Sequence, residues 1–294
     1  MSGSPSIAVR FFRLSEPLQP YFTALYLTKI EAGDGLVLDY LHPEWAAMRF
    51  TEGPPAIACL GPGALVPHWP FVAGGPTSVA THFGVRTSHV WGLGLQPTGW
   101  AKFADGDAAA LANRTVDGSS HPAFAVFAGI LPRISGCAGD DDAKAKMIDD
   151  HLMAHAHHPV PREADIVALQ DALRDPEVGE VSTLQVRMSM SAKTLERFCR
   201  PFFGFTPKLL LRRQRFVRSL AQFMLDPSLS WIDALDGQYH DQAQFVREFR
   251  EFMGLNPSEY ARMPHPIVQP IMRQRMADQG AATPLDLPTV ARFR

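Results

Sequence analysis

The sequence predicts an α+β chain: an N-terminal β-rich, barrel-like domain with trailing helices, followed by an all-α domain. Three observations carry this. Residues 20–95 break into short runs rich in Val, Leu and aromatic residues, separated by Gly and Pro. From Ala164 onward, apolar residues recur at the three- and four-residue spacing of helices. A segment also occurs twice: "SAKTLERFCRPFFGFTP" from Ser191 returns as "YHDQAQFVREFREFMGLNP" from Tyr239. Leu195, Arg197, Cys199, Arg200, Phe202, Gly204 and Pro207 find counterparts in Phe245, Arg247, Phe249, Arg250, Phe252, Gly254 and Pro257, all at one constant offset.

The first half is read as strands over "YFTALYLTKI", "GLVLDYLH", "AAMRF", "AIACL", "SVATHFGV" and "HVWGLGLQ". Regular short strands of this kind close into barrels or pack as sandwiches. Beyond Pro97, "TGWAKF", "DAAALAN" and "HPAFAVFAGILPRI" read as helical, and "CAGDDDAK" feeds a helix near 143–156. The composition of "HAHHPVPRE" marks a linker, because Pro159 and Pro161 both break helices. The expected organisation is therefore 1–156, a linker at 157–163, an α domain over 164–265 and a tail over 266–294. The tail is weakly patterned and receives no structural assignment.

Bulk properties narrow the function classes. The 294 residues suffice for two domains, and no stretch approaches the ~18 uninterrupted apolar residues of a membrane span. The first residues lack the pattern of a secretory signal, and three widely spaced cysteines argue against a disulfide framework, so a cytoplasmic location is expected. Net charge is −2, unevenly distributed: residues 180–262 carry 12 Lys and Arg against 9 Asp and Glu. A local cation excess of this kind suits binding to phosphates.

The repeat can be built residue by residue. In the second copy, Asp241 followed by Gln244 is a helix-starting pair. Phe245, Phe249 and Phe252 form a buried stripe, Gly254 is a left-handed stop, and Pro257 prevents continuation. A short helix expected near Ser230–Asp236, joined through Gly237–His240, completes the plan of two helices and a turn. In the first copy Ser191 is the cap, Leu195, Cys199 and Phe202 the stripe, and Gly204 the stop, with Pro201 expected to kink the helix. The intervening "PKLLLRRQRFVRSLAQFML" spans about 28 Å as a helix, so it can hold two modules near one DNA turn (~34 Å) apart. The α domain is thus predicted to hold two helix-turn-helix units joined by a long helix, a device that places its second helix in the major groove of double-stranded DNA.

The elements "MSAKTLERF", "FFGFTPKLLLRRQRF" and "YHDQAQFVREFREFMGLNPSEYAR" resemble the AraC/XylS family of bacterial transcription regulators. The resemblance covers about 180–262. The region from "GPTS" through "HVWGLGLQPTGWAKF" to "LANRTVDG" is similar to the sensor domain of one branch of that family. Three departures stand out. Gln185 occupies the place of a small residue that Ala234 fills in the second unit, Gln238 replaces a turn glycine, and Pro201 lies inside a recognition helix. The resemblance implies a sequence-specific DNA-binding transcription regulator that responds to an effector through its N-terminal domain.

Outward positions of the two recognition helices give the candidate DNA contacts. These are Ala192, Lys193, Glu196, Arg197 and Arg200 in the first copy, His240, Gln242, Ala243, Arg247 and Arg250 in the second, and Arg212 between them. Most such contacts go to phosphates, whereas Gln242 is suited to adenine, since Gln244 is expected to serve as a cap. His151, His155, His157 and His158 lack the partners of a metal site and read as a solvated helix end. Cys59 and His68 have nothing to orient them as a nucleophile and base. No residue set calls for a catalytic, metal or cofactor role, and the chain is not expected to be an enzyme. The alternatives are a cupin-like enzyme with a helical appendage, which His42, His68, His82 and His89 do not favour, and a regulator with no effector. The expected partners are double-stranded DNA, with a small-molecule effector, RNA polymerase and a second copy of the chain left open, and no membrane.

Overall fold

The computed structural model describes residues 5–225 and 234–279. Strands β1 (Ser6–Phe12), β2 (Phe22–Glu31), β3 (Val37–Leu41), β4 (Ala47–Glu52), β5 (Ile57–Leu60), β6 (Val66–Pro67), β7 (Phe71–Gly74), β8 (Thr81–Val85) and β9 (Ser88–Leu95) come first. Helix α1 (Pro97–Phe103), strand β10 (Thr115–Asp117), and helices α2 (Ile130–Ser135) and α3 (Asp141–His155) complete the N-terminal part. The helical part comprises α4 (Glu163–Arg174), α5 (Val181–Met188), α6 (Ala192–Phe203), α7 (Pro207–Leu225), α8 (Gln242–Met253), α9 (Pro257–Arg262) and α10 (Val268–Gln279). Residues 108–110 and 122–127, expected as helices, are short 3-10 turns instead. No helix among the described residues is long and apolar enough to cross a membrane.

The expectation of a barrel needs correction. The strands form two separate antiparallel sheets, β1-β2-β9-β4-β7-β10 and β3-β8-β5-β6, which do not close on each other. Side chains alternate between the faces of a strand, and the six-stranded sheet uses both faces. Leu25, Leu27, Met48, Phe50, Trp91 and Leu93 point to one side and pack with Phe103, Phe124, Phe127, Ile130, Ile148 and Leu152 of the trailing segments. Their neighbours Tyr26, Thr28, Arg49, Thr51 and Val90 point to the other side, toward Leu41, Ala58 and Phe83 of the four-stranded sheet. Gly92 lies opposite Tyr26 in the β2–β9 pairing, and a Cβ there would sit 2.1 Å from the tyrosine ring. The glycine therefore makes room for that ring between the sheets.

The helical part is welded to this sandwich. Arg213 Nε donates to the Thr77 carbonyl at 2.8 Å, and its guanidinium lies 4.2 Å over the Trp45 ring. Ala80 N donates to the Phe252 carbonyl at 2.6 Å. Gln170 Nε2 donates to Gln96 Oε1 at 2.7 Å, and Arg174 reaches the same oxygen at 2.6 Å. One buried cluster joins Val37, Leu41, Phe83 and Val85 of the four-stranded sheet to residues of α7, α8, α9 and α10. Another joins Trp45 to α4, α5, α6 and the start of α7.

One other expectation is revised. His151 is not solvated: it is buried and its Nε2 bonds the Val126 carbonyl at 2.6 Å, while burial lowers its pKa.

Candidate nucleic-acid interface

The duplication is reproduced in the backbone. Each recognition helix starts at a side-chain cap: Ser191 Oγ accepts from Thr194 N at 3.3 Å, and Asp241 Oδ1 accepts from Gln244 N at 2.6 Å. Each ends at a left-handed glycine, Gly204 with φ 79° and Gly254 with φ 71°. The amide of each glycine donates at 3.0 Å, to the carbonyl of Arg200 in one copy and of Arg250 in the other. A further helix follows each stop, opened by Pro207 and by Pro257. A left-handed glycine costs no Cβ clash, so the same residue ends both helices in the same way.

Helix α6 runs to Phe203 without a break at Pro201. The proline falls in the last turn, so it removes one intrahelical bond and stops nothing. Of the first helix expected in the second unit, Ser230–Asp236, residues 230–233 lie outside the described residues, and residues 234–236 are not helical. Ala234, within its expected span, is buried. Gly237 has open space around it, and the turn is held instead by Asp236, which accepts from Gln238 N at 3.0 Å.

With Leu195, Phe198, Cys199 and Phe203 buried on α6, and Phe245, Phe249, Phe252 and Met253 buried on α8, the opposite faces are open. Ala192, Lys193, Glu196, Arg197 and Arg200 are exposed on α6. His240, Gln242, Ala243, Arg247 and Arg250 are exposed at and along α8. Arg200 pairs with Glu196 at 2.9 Å, both half-exposed, and Arg250 bonds the Asn256 side chain. Gln244 is engaged as expected: its Oε1 accepts from His240 N at 3.2 Å, which leaves Gln242 as the outward amide.

Arg212 stands apart from the other candidates. Its Nε donates to Glu248 at 2.9 Å and its guanidinium also holds Glu251. Glu248, buried on the inner side of α8, further accepts from Arg215 at 2.7 Å and from the Tyr239 hydroxyl at 2.9 Å. Burial, then the Glu248 carboxylate, raises the Tyr239 pKa. The structure makes Glu248 the hub that locks α8 onto α7. The hub's signal in the sequence is its place one residue before Phe249, inside the apolar stripe.

A second feature lies between the sheets. A cavity of about 90 Å³ is lined by Tyr26, Thr28, Arg49, Thr51 and His68 among apolar side chains of both sheets, with Ile267 and Ile271 closing one side. The Arg49 guanidinium is neutralised by Glu44 at 2.6 Å. Burial lowers the His68 pKa. Among the described residues, no group of three His, Cys, Asp or Glu side chains is placed to hold a metal ion.

Residues 184–263 match a helix-turn-helix domain family. No curated protein matches the chain. Among solved structures, an apo form of ToxT from Vibrio cholerae strain SCE256 aligns at 10% identity over 89% of this chain and 98% of that one, with a TM-score of 0.39. ToxT from Vibrio cholerae O395 bound to (E)-4-(8-methylnaphthalen-1-yl)but-3-enoic acid aligns at 10% identity over 88% and 98%, with a TM-score of 0.40. The matched residues enclose both capped recognition helices and the long helix between them, and this part of the chain is a helix-turn-helix domain.

Proposed function

We propose that the protein is a sequence-specific transcription regulator whose N-terminal domain, residues 1–156, answers a small-molecule effector. The observation that carries the reading is the pair of recognition helices, identically capped and stopped, each keeping a polar face open. Residues 164–265 supply the DNA-binding part. Lys193, Arg197, Arg200, Arg247 and Arg250 neutralise phosphates, and Gln242 reads a base edge with Ala243 beside it. Ala192, Glu196 and His240 lie where the helix starts approach the groove. Arg212 acts indirectly, by fixing α8 through Glu248. The cavity between the sheets supports the effector half of the reading, because it is apolar with few polar groups, as small-molecule sites are. A second copy of the chain and RNA polymerase are the protein partners this reading allows, with the cytoplasm as its place.

The test is retention of genomic fragments by the full chain across a salt series. The expected outcome is affinity that falls linearly in log–log form as salt rises, by the counterions that several phosphate contacts release. Retention that does not depend on salt or on sequence would oppose the reading.

A further inference from the structure

The tail that follows the second unit is the part of the chain without a sequence assignment, and in the structure it is deeply placed. Val268, Ile271, Met272 and Arg275 of α10 are buried. Its start is held by a residue of the four-stranded sheet. The buried Asp39 carboxylate accepts from Ile267 N and from Val268 N, both at 2.8 Å, and bonds His265 Nδ1 at 3.3 Å. The first amides of a helix have no partner within it, and an anion there satisfies them and the helix dipole together. Nearby, the Tyr260 hydroxyl and His42 Nε2 bond at 2.8 Å.

What α10 covers is informative. The cavity of about 90 Å³ and a neighbouring void of about 30 Å³ share Tyr26, Leu41, Glu44, Ala47, Arg49 and Ile271 in their walls. Ile271 therefore sits between two spaces that the sheets line with the same residues. Neither space reaches the few hundred Å³ of an ordinary small-molecule site. The larger one contains two buried polar atoms without a hydrogen-bond partner, Thr28 Oγ1 and His68 Nδ1. Unpaired buried polar atoms are costly, and a ligand that bonds them recovers that cost.

We propose that α10 is a built-in plug that divides the ligand space between the sheets, and that a small, mostly apolar, uncharged molecule with hydrogen-bonding groups displaces it. The proposal rests on the reading of the N-terminal domain as an effector domain. The lack of charge follows from the Arg49–Glu44 pair: once α10 withdraws and takes Arg275 with it, the walls that the sheets supply carry no net charge. Displacement has a defined destination. Only residues 263–267 separate α10 from α9, and Tyr260 of α9 packs its ring 5.7 Å from Phe249 of the second recognition helix. Withdrawing the plug thus loosens the support of the second unit, while the first unit keeps its own core.

The test uses N-phenyl-1-naphthylamine, a neutral apolar fluorophore too large for either void, with the full chain, the full-chain variant Asp39→Asn and a chain ending at Met263. Circular dichroism and thermal unfolding verify folding. Binding at least 10-fold tighter to the shortened chain than to wild type is expected, with Asp39→Asn between them. Saturating fluorophore should also speed hydrogen exchange over residues 265–279 of wild type. If the shortened chain does not fold, Asp39→Asn and the exchange measurement decide. Equal affinity in all folded forms, or slower exchange in the tail, overturns the plug while leaving the effector reading intact. Absence of binding to any form, including those whose tail exchanges freely, overturns both.

Discussion

The two recognition helices are copies in their caps and stops, yet they rest on different supports. Helix α6 packs into a cluster with α4, α5 and Trp45. Helix α8 packs into a cluster that also contains the four-stranded sheet and α10. Residue 248 in the second copy is the counterpart of residue 198 in the first, and there the copies differ in kind. Phe198 is a buried ring with Arg162 4.3 Å above it, whereas Glu248 is a buried carboxylate gripped by Arg212, Arg215 and Tyr239. Local signals repeat because the helix ends need the same atoms. The surfaces beneath diverge because each copy meets a different neighbour.

The largest expected contrast is in the apolar stripe. Phe249 is fully buried against the rings of Phe216, Phe245 and Tyr260. Phe249→Ala should cost ~3–5 kcal/mol of stability. Cys199→Ala, at the matching place in α6, should cost about 1 kcal/mol. The Cys199 thiol is pushed up to about 12 by burial and then by Glu196, so it is a packing group at neutral pH. Chemical denaturation of both variants measures the difference, and equal losses would contradict unequal packing.

The acids follow. Glu248→Ala removes the buried carboxylate that Arg212 and Arg215 share and should cost ~3–5 kcal/mol. Glu196→Ala removes a half-exposed pair with Arg200 and should change stability by less than about 1 kcal/mol. Comparing each with Glu→Gln separates the charge from the packing: the amide should rescue little at residue 248.

A smaller effect is expected from acid. His42 faces Tyr260, Asp39 and His265, and its pKa is held down to about 3, chiefly by burial and against the pull of Asp39. The unfolded chain takes up this proton near 6.5, so the stabilisation is complete above that pH and declines as pH falls toward 3. Between pH 6.5 and 5 the loss from this one group is about 2 kcal/mol. It should fall on the contact of the second unit with the sheets, and His42→Gln should blunt it. Hydrogen exchange at pH 7 and pH 5 would show it as faster opening of α9 and α10 than of α6; equal opening would break the comparison.

Much of this was legible in the sequence, and the failures have physical causes. The recognition helices were legible because caps and glycine stops are dictated by a few residues each. Strand β1 escaped although Ile7, Val9 and Phe11 alternate, because it precedes the Pro-flanked run taken as the start of the strands. Helix α10 escaped because its buried set, Val268, Ile271, Met272 and Arg275, contains an arginine, and Pro270 reads as a helix breaker although it sits in the first turn, where proline is tolerated. The cavity escaped for a related reason. Tyr26, Thr28, Arg49 and Thr51 occupy alternate strand positions that look like a solvent face, and only the second sheet turns that face into an interior. The open faces of α6 and α8 follow from the stripe, since burying the phenylalanines leaves Gln242 and Lys193 outside.

The central claim is that the two copies read DNA together and in unequal ways, and binding-site selection at fixed salt tests it most directly. Wild type, Gln242→Ala and Lys193→Ala would each be selected against random duplexes. Gln242→Ala should relax preference at one base position by about 1–3 kcal/mol, and Lys193→Ala should weaken all sites nearly uniformly. The contrary result is a changed base preference in Lys193→Ala with an untouched one in Gln242→Ala.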